Sequence, residues 1–291
     1  NNTTYTFDET SDTFGLPENG TIFHTAQNVD TDNNPVSRIQ TMMAFNAGAY
    51  ALTSDKLEDA SIIVTTATDI FNPWDNKISL REAVQYTTYQ GQGTNVTFDN
   101  SLFTNNQATI QLDSFYGEIQ NTSETLSIHG GENRNVTIDA HRPANVNYRI
   151  FSAYDTTKNW DIQFNNLTFT GGNAGEIDQN NINDKNGLGG AIFLYGNTST
   201  LALENVIVDS NTAYVAGGGI YTRGTNSDIT IDKTQFTNNT SPNGGAIYSD
   251  ASNTSSIVVQ NSLLSNNSST SNGGAIYSNS TNTSKILVQS S

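Results

Sequence analysis

Gly189-Gly190-Ala191-Ile192 is answered by Gly217-Gly218-Gly219-Ile220, Gly244-Gly245-Ala246-Ile247 and Gly273-Gly274-Ala275-Ile276, at spacings of 28, 27 and 29 residues. A second motif interleaves with the first: Val208-x-x-Asn211, Phe236-x-x-Asn239 and Leu264-x-x-Asn267, the asparagines 28 residues apart. Two motifs that keep one period through four copies define a structural repeat. Each period holds two short apolar runs. One follows the glycines, as in Ala246-Ile247-Tyr248; the other leads toward the asparagine, as in Ile257-Val258-Val259. The pieces between are Asn, Ser, Thr and Gly, with no stretch of helical period long enough for a helix. One such unit cannot bury its apolar face alone, whereas stacked copies can. The reading is therefore all-β, a solenoid with one coil per ~28 residues and a coil-to-coil rise of ~4.8 Å. Ile192, Ile220, Ile247 and Ile276 form one internal ladder, and Val208, Phe236 and Leu264 another. Asn211, Asn239 and Asn267 stack at a turn, and the glycines supply a corner. Phe236 is taken as inward and Thr222 as outward.

Working toward the N-terminus, the pattern loosens. Short runs at Thr109–Leu112, Leu126–Ile128, Val136–Asp139, Arg149–Phe151 and Ile162–Phe169 extend the solenoid. Ser79-x-x-Glu82 is a capping box, and it predicts a helix from about Leu80 to Tyr89 that turns Leu80, Ala83, Val84 and Tyr86 inward and closes the open end of the solenoid. Arg81 and Glu82 are read as a salt-bridged helix start, not a catalytic pair. Residues 1–60 lack the repeat and form an N-terminal cap or small subdomain; residues 61–291 form the β-helix, about eight coils and ~40 Å long at the usual rise. Lys285–Ser291 aligns with the middle of a repeat, so a longer protein is expected, with its anchor outside this sequence.

The paired Gly-Gly-Ala-Ile and Phe-x-x-Asn motifs over roughly residues 160–291 resemble the repeats of chlamydial-type polymorphic outer membrane proteins, which belong to the autotransporter group of surface adhesins. The resemblance implies a right-handed parallel β-helix passenger displayed outside the cell. Ser79-Leu80-Arg81-Glu82-Ala83 is similar to the Ser-Leu-Arg-Glu-Ala domain that precedes β-helix repeats in many bacterial and archaeal surface proteins. Ile78 stands where that domain often has Cys, so a thiol role is absent.

Composition bounds the function. Twelve Lys and Arg stand against 28 Asp and Glu, a net charge of −16, which repels phosphate and argues against nucleic acid as a partner. There is no Cys, which removes disulfides, thiol catalysis and Cys-ligated zinc. Three scattered histidines do not make a metal centre. No apolar run reaches the length of a membrane span, and the first residues lack the pattern of a signal peptide. Asn, Ser and Thr make up 107 of the 291 residues, a composition suited to a solvated extracellular surface. Asp30-x-Asp32-x-Asn34 has calcium-loop spacing without the closing Glu and reads as a solvated turn. Asp139-Ala140-His141-Arg142 reads as a strand-to-turn segment. Asn173–Gly187 interrupts the period, and its Glu176, Asp178 and Asp184 are the candidate ligand-binding residues, since long excursions from a rigid scaffold commonly carry recognition.

No catalytic residues, cofactor or metal are expected. The leading functional reading is a secreted or cell-surface adhesin-like protein, outer-membrane-anchored in its full form. It would attach to a protein or glycan on a host or neighbouring cell, and it would meet the membrane only through the missing anchor. The alternative is a carbohydrate-active β-helix enzyme, a polysaccharide lyase or glycoside hydrolase. Fold alone does not separate the two.

Overall fold

In the computed structural model the described residues are 58–73, 75–88, 94–141, 146–175 and 187–289. The chain divides into two units, 1–59 with 71–77, and 60–70 with 78–291. Of the first, only 58–59, 71–73 and 75–77 are described. The Asp30-x-Asp32-x-Asn34 turn read from the sequence lies outside the described residues.

The larger unit is a parallel β-helix of about six turns with one short helix near its N-terminus. Three faces, A, B and C, alternate along the chain. Face A contains Ile63–Val64, Asn95–Phe98, Thr125–His129, Asn159–Asn165 and Thr198–Glu204, and closes with Thr283–Gln289. Face B contains Gln107–Gln111, Asn135–Asp139, Leu167–Thr170, Ile207–Asp209, Gln235–Thr237 and Leu263–Ser265. Face C contains Ile119–Asn121, Phe151–Tyr154, Ile192–Tyr195 and Ile276–Ser280. Two long strands, Ile220–Asp232 and Ile247–Gln260, run from face C into face A without a break. All strand pairings between coils are parallel.

The expected ladders form. Ile192 pairs with Ile220, Ile220 with Ile247 and Ile247 with Ile276. Phe151 and Ile119 continue the column upstream. On face B the column runs Ile110, Ile138, Phe169, Val208, Phe236, Leu264, and all but the last are buried. Each inward step removes apolar surface from water at roughly 25 cal/mol per Å². Alternation of inward and outward residues is the period-2 signature of a strand.

Coil length departs from the uniform ~28 residues. Ile63 pairs with Thr97, Asn95 with Ser127, Leu126 with Ile162 and Leu201 with Ile162, against Leu201 with Ile229 in the repeat region. Measured on face A, the upstream coils therefore carry between 32 and 39 residues and the later ones 28 or 29, so the chain completes fewer turns than a uniform ~28-residue coil would give.

Thr222 corrects the sequence reading. It pairs with Leu194 and Ser249 on face C and is fully buried. Two residues beyond Ile220, it shares the inward face, and its hydroxyl is satisfied by Ser227 Oγ at 2.6 Å.

The helix α1, Leu80–Tyr86, starts at the expected capping box: Glu82 N–H donates to Ser79 Oγ at 3.2 Å and Ser79 N–H to Glu82 Oε2 at 2.8 Å. It stops at Tyr86 instead of Tyr89, because the Thr87 and Thr88 hydroxyls bond back to the Val84 and Gln85 carbonyls at 2.7 and 2.8 Å, a competing local pattern for Thr. All seven helical residues are buried. Arg81 donates to the Gly117 and Glu118 carbonyls at 2.8 and 2.7 Å, and Gln85 Nε2 to the Gln120 carbonyl at 2.8 Å. These carbonyls lie on and beside Ile119–Asn121, the terminal strand of face C. The helix thus covers a sheet edge whose backbone groups would otherwise lack partners.

Candidate functional site

The glycine motif shapes the outside of the coil as well as its core. Gly189, Gly217, Gly244 and Gly273 all have φ between +59° and +66°, a region that favours Gly. The second glycine allows coils to touch: a Cβ on Gly190 would lie 2.1 Å from the Gly218 oxygen, and one on Gly218 2.2 Å from the Gly245 oxygen. The chain then enters face C in one register on every coil. The outward positions stack into two columns: Phe193, Tyr221, Tyr248, Tyr277, and Tyr195, Arg223, Asp250, Asn279. Ring centroids in the first column are 5.7, 5.3 and 5.1 Å apart. Phe193 and Tyr221 are buried beneath Leu188, Val215 and Ala216.

Beyond the second column the chain bends from face C into face A. Trp160 fills the inward side of this corner on one coil; Ser199, Ser227, Ser255 and Ser284 follow it in register. They meet a facing column that changes from Ala153 and Leu194 to Thr222, Ser249 and Ser278. Thr222, Ser227, Ser249, Ser255 and Ser278 form a continuous hydroxyl chain with contacts of 2.6–2.9 Å. Buried hydroxyls are tolerated when paired this way. Small inward residues let the strand turn the corner tightly, and small residues at the bend, Gly196, Gly224, Ala251 and Ser280, leave a depression outside.

That depression is a cleft of about 370 Å³ across four successive coils, with Thr156 of the preceding coil at its end. Tyr195, Arg223, Asp250 and Asn279 stand on one flank. Asn197, Thr225, Ser252 and Thr281, all exposed, stand on the other. Asp250 is its hub. It accepts from Tyr221 Oη at 3.1 Å and Asn279 Nδ2 at 3.1 Å, and pairs with Arg223 Nε at 3.4 Å. The Arg223 guanidinium also lies 4.9 Å from the centre of the Tyr195 ring. Burial first, and the Asp250 charge next, push the Tyr221 hydroxyl far above its usual value, so it remains a donor to Asp250. Of the lining residues Asp250 alone carries a carboxylate. Among the described residues no group of three or more His, Cys, Asp or Glu converges as metal ligands.

The sequence-derived candidates Glu176, Asp178 and Asp184 lie outside the described residues; Asn173–Ala174 before them pairs in parallel with Thr212–Ala213. Arg81 is buried and bidentate with Asp69, at 3.0 and 2.8 Å, and Glu82 closes the capping box. Asp139 accepts from the His141 backbone at 2.8 Å in a turn. The Tyr195 cleft was missed on sequence. Its signal is the column Tyr195, Arg223, Asp250, Asn279, spaced like the isoleucines three positions earlier, but its four residue types differ and so do not announce a motif.

A family model for the Chlamydia polymorphic membrane protein repeat matches residues 233–250 and 261–279. Both stretches begin three residues before Phe236 or Leu264, pass through the stacked asparagine and Gly-Gly-Ala-Ile, and end at the cleft residue Asp250 or Asn279. The match supports the polymorphic-membrane-protein type of repeat, a mark of surface or outer-membrane proteins of the autotransporter type. Neither stretch includes Ser79–Ala83. No curated protein and no solved structure matches the chain.

Proposed function

We propose that this chain is the binding part of a secreted or surface-displayed, adhesin-like β-helix protein. It attaches to a surface on a host or neighbouring cell and does not catalyse a reaction. The repeat match supports the surface setting. The observation that carries the attachment reading is the cleft: four coils present fixed, mixed polar and aromatic side chains around one carboxylate, Asp250, already held by three donors. Glycoside hydrolysis calls for two carboxyl groups facing the bond to be cleaved, and the cleft lining supplies one. A rigid, pre-ordered polar surface loses little entropy on association, which suits binding.

The test coats beads with the purified chain and measures their attachment to epithelial and bacterial cell surfaces, beside assays on plant, fungal and bacterial polysaccharides with and without calcium. Attachment without new reducing ends or unsaturated sugars is expected. Release of either product would move the carbohydrate-active enzyme to first place. The excursion Asn173–Gly187, with Glu176, Asp178 and Asp184, is a second proposed contact. Deletion of its residues 176–186, which keeps the paired Asn173–Ala174, is expected to leave the melting temperature nearly unchanged, since loop length costs little, and to lower bead attachment.

A further inference from the structure

We propose that the cleft between Tyr195 and Thr281 is a binding site for an unbranched, uncharged, extended β-linked oligosaccharide lying along the solenoid axis. The proposal rests on the attachment reading above and names its ligand class.

Direction comes first. The cleft crosses the strands, so equivalent side chains recur along it at the inter-strand spacing of ~4.8 Å. An extended β-1,4-linked pyranose chain advances by nearly that distance per sugar, so one ring can face each coil. Four coils span about 14 Å at this spacing, room for three or four rings.

The chemistry agrees. Tyr195 offers an amphipathic ring, shared with the Arg223 guanidinium at 4.9 Å. The opposite flank offers exposed amide and hydroxyl groups at Asn197, Thr225 and Ser252, the donors and acceptors that match sugar hydroxyls. Asp250 is positioned by Tyr221, Arg223 and Asn279, so it can accept from a sugar without first being ordered.

Charge sets the class. Arg223 and Asp250 neutralise each other, and no other charged residue lines the cleft. A polyanionic glycan would find no unpaired cation there and a net charge of −16 around it, which disfavours its approach. A phosphate-bearing ligand is disfavoured for the same reason. Curved α-linked chains would leave the axis within a few rings.

Cellotetraose, chitotetraose, maltotetraose and tetragalacturonate are titrated into the isotopically labelled chain, with amide shifts mapped by NMR. The expected result is that cellotetraose or chitotetraose shifts Thr225, Ser252 and Thr281, while maltotetraose and tetragalacturonate do not. Thr225→Trp, an exposed position that fills the cleft, is expected to weaken that binding about tenfold or more, a change readily resolved in Kd, with an unchanged melting temperature. Tyr195→Ala serves as the second variant, with the same loss expected. The proposal is overturned if neither extended tetrasaccharide shifts the cleft, if tetragalacturonate binds there as well as they do, or if the shifts map elsewhere. Beads carrying Thr225→Trp that attach as well as wild type would also overturn it while leaving the attachment reading intact. Wild-type beads that attach to no surface would sink the attachment reading, and the titration would still decide the cleft.

Discussion

Asn239 shows how a single residue holds two coils in register. Its Nδ2 donates to the Val208 carbonyl at 2.8 Å and to Asn267 Oδ1 at 2.9 Å, while its Oδ1 accepts from the Asn211 side chain at 3.0 Å and backbone at 3.1 Å. It is fully buried. Asn239→Ala removes these bonds and leaves buried groups of two neighbours unpaired, each costing roughly 1–3 kcal/mol. A loss of about 2–4 kcal/mol in urea unfolding is expected by the same reckoning, and a loss below 1 kcal/mol would contradict the ladder. The second glycine supplies a paired test. Gly190→Ala drives a methyl into the Gly218 oxygen, whereas a Cβ on Gly274 meets nothing within 4 Å. The first variant should melt well below wild type and the second within a degree or two, since substitutions that touch nothing stay within about 0.5 kcal/mol. Phe236→Asp and Thr222→Asp should both destabilise strongly, because each places a charge at a fully buried position. The Phe236 half of that pair was legible from its spacing. The Thr222 half was not, because a threonine is equally at home on either face of a strand.

Among the elements, helix α1 was the most fully written in the sequence, because a capping box is local chemistry. Ser79→Ala should cost about 1–2 kcal/mol for the lost cap, and it also removes the bond from Ser79 Oγ to the Ile70 carbonyl at 2.6 Å. What the helix does for the sheet was only partly legible. Closure of the open end follows from chain order. The means are Arg81 and Gln85 donating to carbonyls more than thirty residues away, with Asp69 as counter-ion. Arg81→Met should destabilise by about 3–5 kcal/mol, the usual cost of stranding a buried charge, here Asp69. In the double variant Arg81→Met with Asp69→Leu, only part of that loss should return by urea titration, because the Gly117 and Glu118 carbonyls and the Asp113 N–H lose their side-chain partners. The corner between faces C and A was unreadable as an element. Its serines resemble loop residues in composition, yet they sit inside two long continuous strands, because paired neighbours on adjacent coils satisfy their hydroxyls.

For the whole molecule, the tyrosines tie stability to alkaline pH. Burial, then the charges of Asp69 and Asp113, push Tyr148 from 10.0 up to about 12; burial, then Asp250, raises Tyr221 and Tyr248 as well. A group raised in the folded state contributes fully below its unfolded value and loses that contribution as pH rises through the folded one. The melting temperature is therefore expected to be flat in this respect up to about pH 10 and to fall between about 10 and 12. Absorbance of ionised tyrosine should lag behind that of the unfolded chain, and Tyr148→Phe should remove part of the fall. A melting temperature that holds through pH 12 would contradict the burial of these hydroxyls. The sequence by itself determined the architecture, because a solenoid writes its stacking contacts at a recurring period and each inward residue needs its counterpart on the next coil. Gly-Gly, the inward isoleucines and the asparagine ladder were all readable for that reason. Tertiary structure decided the number of coils, because upstream coils absorb extra residues in their corners without disturbing the register. It decided which polar residues face inward, because a hydroxyl is accepted inside only when a neighbouring coil offers a partner. It also decided the cleft, because Tyr195, Arg223, Asp250 and Asn279 share no motif and become one surface only when four coils are stacked at the strand spacing.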